Sequence, residues 1–512
     1  MENEENKSLI QIAEEMMAEL KRIDDEKALD LEKFRQKVEL SFEVEGEFNS
    51  LTKIINDTVS NAQSSDNPNF FDMKDFRDKM EVEFSNLGFR EEHSQGVENI
   101  LLVRLQAMGD FINTSAAIRE VRKNYPFAYI TLVVSKRSYD MAEFCPYVNE
   151  VIEFDDAAVE SKSVVEMLES VGEFARQHLW KRRFTLGFGF RYIRLSQILT
   201  LLMLYVSGAK ERVGFVSHAY RKYLGEDLPP EKNPGNIFLT HPVLPPNEVV
   251  HSCTRMLYLL KDYGLQIRDT DLELWYDSVD LRKARKLIGN FAEDKLKIVL
   301  GISASDKARR YPVEKYLPAL KEIIDKGAAV IIFGGLAETK DAKFLEENLP
   351  AESVKNICGL SDRRIEAAII DKLADMYIGN CTGVADVAAA AKLPVIALSC
   401  EAEELEKELW GISYYSMFFP WQTNAIVIRP KHALEGCKDL KQFSKVGEVN
   451  KLFIGCSGGE DEAYCITQIE PQEIVAAYDE MIRYLKTSGI KKTIQPQIIR
   501  NIDATEKLSG LF

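Results

Sequence analysis

No run of apolar residues in the 512-residue chain approaches the roughly 18 that a membrane-spanning helix needs. The start, MENEENKS, is acidic where a secretory signal would be basic, so the expected address is the cytoplasm. Positive charge is not in excess. Lys and Arg number 65 against 81 Asp and Glu, a net charge of −16, and this argues against a DNA or RNA partner. Cysteines number eight, none in a CxxC pair, so free thiols are expected before disulfides or a closed metal site. The six histidines are scattered, and His241 and His251 read as packing or capping residues.

Hydrophobic residues at 46% and charged residues at 29% describe a globular protein long enough for two or three domains. The charge is uneven. Residues 1–98 hold 25 acidic and 12 basic residues, a net of −13, which leaves the other 414 residues near neutral at −3. Within residues 1–60, Leu9, Ile12, Met16, Leu20 and Ile23, then Leu31, Phe34 and Val38, recur at helical spacing. This predicts a helical arm, either packed on the body or offered to a second copy or partner. A polar linker, SNAQSSDNPNF, and a short amphipathic helix over 71–84 precede the body.

From Asn99 the pattern alternates strand and helix. Ile100 to Val103 is a continuous apolar run, as for a strand buried on both faces of a parallel sheet. Gly109 is expected to turn the chain into a helix carrying Phe111, Ile118 and Val121 on its inner face. Asp110 then lies at a strand's carboxyl end beside a helix N-terminus, where open α/β sheets bind ligands. YITLVVS, residues 151–154 and FTLGFGF follow as strands, the glycines of the last leaving room for a ligand or another backbone. Around 271–290 the chain crosses into a second unit, with strands KIVLGIS, AAVIIFGG, DMYIGN and LPVIALS and a closing helix over 471–485. The fold class is α/β, two doubly wound parallel-sheet domains facing each other. The expected division is 1–97 acidic helical extension, 98–280 first domain, 281–470 second domain, and 471–512 closing helix and polar tail.

The loops after these strands resemble glycosyltransferase family 9, the ADP-heptose:lipopolysaccharide heptosyltransferases. The likeness runs in order through VRLQAMGDFINTSAAIREVRKNYPFAYITLVV, SGAKERVGF, GISASDKARRYPVEKY, FGGLAE, NCTGVADVAAAAKLPVIAL and YCITQIEPQEIVAA. It implies a GT-B architecture of two Rossmann-like domains, with the acceptor on the first and a nucleotide-diphosphate-sugar donor on the second. It also implies inverting transfer of a heptose-like sugar to a glycan or protein acceptor, with no metal or other cofactor in the step.

In that resemblance Asp110 holds the position of the base, its other reading being a helix N-cap. Arg104, Gly109 and Asn113 are the neighbouring acceptor-side residues. Ser303 and Ser305 can donate to phosphate, and Arg309 stands where the family has a lysine, keeping the charge and adding a fork. Gly335 and Glu338 fit the ribose loop, Glu338 alternatively only capping a helix. Thr382 and Gly383 aim a helix N-terminus at a diphosphate. Two positions depart: Cys381 replaces Asp or Ser, and Asp386 replaces His. The second loses a donor and would set a carboxylate against the phosphates.

Some relatives carry a cysteine-rich metal finger near Cys437, Cys456 and Cys465. These are separated by 18 and 8 intervening residues, with His432 or Cys400 as the candidate fourth ligand, and free thiols are the favoured reading. Two functions follow: an inverting glycosyltransferase, or a GT-B scaffold without transfer that assembles through its helical arm. The departure at Asp386 favours the second, and the retention of Asp110, Thr382 and Gly383 favours the first, which is the leading expectation.

Overall fold

Each half of the chain is wound around one strand whose side chains alternate between two buried faces. A computed structural model describes residues 48–66, 68–69, 71–91, 98–160, 162–192, 195–216, 236–246, 249–403, 417–434 and 464–488. The expected arm over 1–47, Cys437, Cys456 and the tail from 491 lie outside the described residues.

The first half comprises α1 (Asn49–Gln63), α2 (Met73–Asn86), β1 (Asn99–Arg104), α3 (Met108–Ile112), α4 (Ser115–Asn124), β2 (Tyr129–Ser135) and β3 (Glu150–Phe154). It continues with α5 (Val164–His178), β4 (Leu186–Gly189), α6 (Leu195–Val206), β5 (Glu211–Phe215), β6 (His241–Val243) and α7 (Ser252–Asp262). Its sheet is parallel in the order β3-β2-β1-β4-β5-β6. Ile100 and Leu102 of β1 join Phe111, Ile118 and Val121 on one face. Leu101 and Val103 join helices α1, α2, α5 and α6 on the other.

The amphipathic segments before β1 are therefore part of this domain. Phe84 of α2 meets the rings of Phe89 and Tyr205 at 5.0 and 5.9 Å, and the Tyr205 hydroxyl donates to the Arg77 carbonyl at 2.8 Å. The expected linker is also shorter, since α1 runs through Gln63. Gly187 and Gly189 in β4 make room for α6 and not for a ligand. A Cβ on either would press on Leu204 at 2.9 and 2.8 Å.

The second half repeats the plan with α8 (Ser278–Ile288), β7 (Leu296–Gly301), α9 (Val313–Asp325), β8 (Ala328–Phe333), α10 (Thr339–Asn348), β9 (Val354–Asn356) and α11 (Arg363–Leu373). It closes with β10 (Met376–Asn380), α12 (Gly383–Ala390), β11 (Val395–Leu398), β12 (Ala425–Ile428) and α13 (Pro471–Ser488). The sheet is again parallel, ordered β9-β8-β7-β10-β11-β12. In both sheets the order reverses beside the first strand, between β1 and β4 and between β7 and β10. Such reversals open a crevice at the carboxyl ends of the strands.

The two crevices face each other and the halves are closed. Arg364 of α11 pairs with Asp280 at 3.0 Å and with Glu143. Lys392 pairs with Asp271 at 2.7 Å. His251 caps α7 by accepting from the Cys253 N–H at 3.1 Å, so its other ring nitrogen donates to the Phe419 carbonyl at 3.0 Å across the halves. Burial holds this imidazole neutral, its pKa pushed down to about 4.

Replacing Phe84 by Ala should cost about 3–5 kcal/mol in denaturant unfolding, as for a fully buried aromatic. A loss under about 1 kcal/mol would show that α2 does not belong to the folding unit of the first sheet.

Candidate active site

The loops leaving β1 to β4, β7 and β10, with Phe418 and Tyr464, border a cavity of about 500 Å³. The strained residue in the first loop is Gln106, not Gly109. Gln106 has φ 88°, a left-handed conformation uncommon for a side-chain-bearing residue. Its N–H donates to buried Asp156 at 2.9 Å, and its carbonyl accepts from the Ser138 hydroxyl at 2.6 Å. Gly109 lies within the first turn of α3, where it permits a close approach. A Cβ there would stand 2.2 Å from Asp386 Oδ2 and 2.9 Å from the Gly383 Cα.

Asp110 is also in the first turn of α3, whose N-cap is Ala107, so Asp110 does not cap this helix. Arg104, buried beneath it, donates to Asp110 Oδ1 at 2.9 Å and to its carbonyl at 2.9 and 3.1 Å. Arg104 also donates to the Phe190 carbonyl, which ties the ends of β1 and β4 together. Arg191 stands 3.8 Å from the same carboxylate oxygen. The carboxylate is 17% exposed and borders the cavity.

Across the cavity, Ser305, Lys307 and Arg309 follow β7, with Arg309 donating to the Ser305 hydroxyl at 2.8 Å. Cys381, Thr382 and Gly383 follow β10 and start α12. The Cys381 thiol, pushed up to about 12 by burial, contacts the Phe418 carbonyl at 3.7 Å.

Asp386 does not stand as a bare charge against a phosphate. Asn113 of the opposite half donates to Asp386 Oδ1 at 3.1 Å and to the Gly109 carbonyl at 3.0 Å. Burial pushes the Asp386 pKa up to about 8. The Asn113 hydrogen bond opposes this, the Asp110 charge adds to it, and Arg309 opposes it more weakly. The group is mostly neutral at pH 7.

Ser303, Gly335 and Glu338 do not line the cavity. The Ser303 carbonyl accepts from Asn380 at 3.4 Å. Glu338 accepts from the Gly335 N–H at 2.9 Å and pairs with Arg310 at 3.1 Å, the helix-start role that was its other reading. Cys465 is buried, its sulfur 3.4 Å from the Leu434 N–H, and Cys400 is partly exposed. Cavity residues that sequence reasoning did not call include Gln106, Arg137, Glu160, Arg191, Tyr192, Lys307, Phe418 and Tyr464. Tyr464 opens the last of the quoted segments, which was the one signal available for it.

Residues 234–439 match the family model Glycosyltransferase family 9 (heptosyltransferase). That segment, 206 of the 512 residues, is similar to the family and takes in the whole second sheet. The two facing doubly wound sheets are the GT-B arrangement. A family 9 glycosyl transferase from Veillonella parvula DSM 2008 is 17% identical, covers 76% of this chain and 98% of its own, and superposes with a TM-score of 0.55. The ADP-heptose lps heptosyltransferase II of E. coli is 17% identical, with 76% and 99% covered and a TM-score of 0.51. At such identities the likeness is one of fold. No curated relative matches the chain. Among the described residues no helix is long and apolar enough to cross a membrane.

An aspartate buried with a raised pKa favours the fold at low pH and loses that advantage as pH rises through its folded value. Asp386→Asn, which mimics the protonated group, should therefore unfold at nearly the same temperature as the native chain near pH 4. It should be increasingly the more stable of the two up to about pH 8, where the gap levels off. Thermal unfolding at a series of pH values tests this; a gap independent of pH would contradict it.

Proposed function

We propose that the chain moves a heptose-like sugar from a nucleotide-diphosphate-sugar to an acceptor hydroxyl, in the cytoplasm, with inversion and without a metal in the step. One observation carries the reading: Asp110 and the Ser305, Lys307, Arg309 and α12 group lie on opposite walls of one cavity. The acceptor O–H meets the Asp110 carboxylate, which takes the proton as the oxygen attacks the anomeric carbon from the face opposite the leaving group. The bond from that carbon to the diphosphate oxygen breaks, and its electron pair leaves with the diphosphate. Lys307 and Arg309, the Ser305 hydroxyl and the N–H groups at the start of α12 hold the developing charge.

Arg104 acts as a positioning residue. Its paired bonds to the Asp110 carbonyl and carboxylate lock the side chain in one orientation, and both neighbouring arginines contact Oδ1, leaving Oδ2 for the hydroxyl. Adenosine diphosphate is the first leaving group to test, because the E. coli neighbour is named for ADP-heptose.

The scaffold reading loses its main support. The Asp386 carboxyl is turned into the contact between the halves and held largely neutral, so it does not bring a full charge against a diphosphate. Helix α1 of the expected arm packs on α5 within the same chain.

Isothermal titration with ADP, GDP and UDP should show binding to one of them; binding to none would refute the transferase reading. Asp110→Ala should keep that binding and lose transfer by about 100-fold or more, read as product by mass spectrometry with candidate sugar nucleotides. Undiminished turnover would remove Asp110 from the chemistry.

A further inference from the structure

The acceptor side of the cavity holds a second cluster that the chemistry at Asp110 does not use. Gln106, Arg137 and Glu160 line it together. Their common anchor is Asp156, fully buried, which accepts from the Gln106 N–H and from Arg137, both at 2.9 Å, and from the Ser135 hydroxyl. Glu160 accepts from the Gln106 side-chain amide and stands 3.6 Å from Arg137. Arg137 remains 46% exposed and Glu160 27% exposed, so both keep a face toward the cavity. Holding a glutamine left-handed at the cavity edge is a strained arrangement that a plain surface loop has no reason to keep.

The charges on this wall balance. Arg104 and Arg191 share Asp110, while Arg137 is shared between Asp156 and Glu160. Among the described residues that is three cations against three carboxylates, with two carboxylates bordering the cavity. On the opposite wall Lys307 and Arg309 outnumber Asp306, and a helix N-terminus adds to them, while Asp386 is held largely neutral. Anionic ligand groups are thus drawn to the second half. An additional phosphate or carboxylate on the acceptor would meet arginines already compensated and carboxylates that repel it. A carboxylate, a guanidinium and an amide side by side instead match a diol, which needs acceptors and donors in alternation.

We infer that Gln106, Arg137 and Glu160, clamped on Asp156, are the residues that select the acceptor, and that this acceptor is a neutral, hydroxyl-rich glycan. The inference rests on the transferase reading for the identity of the cavity. Its test is binding to the full chain saturated with ADP, comparing a neutral methyl glycoside with the same glycoside carrying a phosphate and with its uronate, by titration calorimetry.

The neutral glycoside should bind at least as tightly as either anionic form. Glu160→Gln and Gln106→Gly, the latter removing the side chain where glycine is at ease, should each weaken the neutral glycoside about tenfold and leave ADP affinity within about twofold. Glu160→Lys should shift the preference toward the anionic forms. Tenfold tighter binding of an anionic glycoside to the native chain, or glycoside affinity unmoved in Glu160→Gln and Gln106→Gly, would overturn the inference. So would failure of all the glycosides to bind while ADP binds, with the transferase reading intact. Failure of ADP itself to bind would overturn both.

Discussion

The close approach of the two halves at the cavity depends on one contact, where Gly109 at the start of α3 meets Gly383 at the start of α12. A Cβ on either would stand 2.9 Å from backbone of the other half. Because neither carries a side chain, two helix N-termini that lead away from two different sheets approach to backbone distance. Close approach removes water, and the polar groups caught beside it must satisfy one another. Asn113 and Asp386 do so across the boundary, at the cost of a carboxyl group that burial keeps mostly protonated.

The same contact explains how the cavity acquires two chemically different walls. Each sheet reverses its strand order beside its first strand, so each contributes loops at one crevice. On the first wall, buried Arg104 gathers Asp110 and the end of β4, and buried Asp156 gathers Gln106, Ser135 and Arg137. Among the described residues its three cations and three carboxylates balance. On the second wall Lys307, Arg309 and the start of α12 border the cavity. In the proposed reaction, proton removal and diphosphate release fall to different halves, on the two walls of one cavity.

The fold was largely legible in the sequence because strands buried on both faces read as unbroken apolar runs. Ile100 to Val103, YITLVVS and AAVIIF all return as strands. The short edge strands β6, β9 and β12 were not anticipated, since three or four residues at a sheet edge leave little pattern. At the site, Asp110, Ser305, Arg309, Cys381, Thr382, Gly383, Gly109 and Asp386 do border the cavity. Ser303, Gly335 and Glu338 do not, because adjacency to a strand end says which loop a residue belongs to but not which way it faces. Gln106 lies inside the first segment that resembles the family, but its conformation had no local signal: a left-handed glutamine is held by bonds to residues 32 and 50 positions away.

What the sequence by itself determined is the periodic and local part: two rounds of strand and helix, a carboxylate in the first turn after β1, and a basic loop and helix start after β7 and β10. Burial pattern and chain direction are encoded in neighbouring residues, so they can be read from neighbours. Only the tertiary structure decided the meaning of Gly109 and Asp386. One looked like a turn and is a contact surface; the other looked like a repelling charge and is a buried, hydrogen-bonded acid. Both depend on a partner about 270 residues away, and the free energy of burying a charge is set by what surrounds it, which local sequence does not contain.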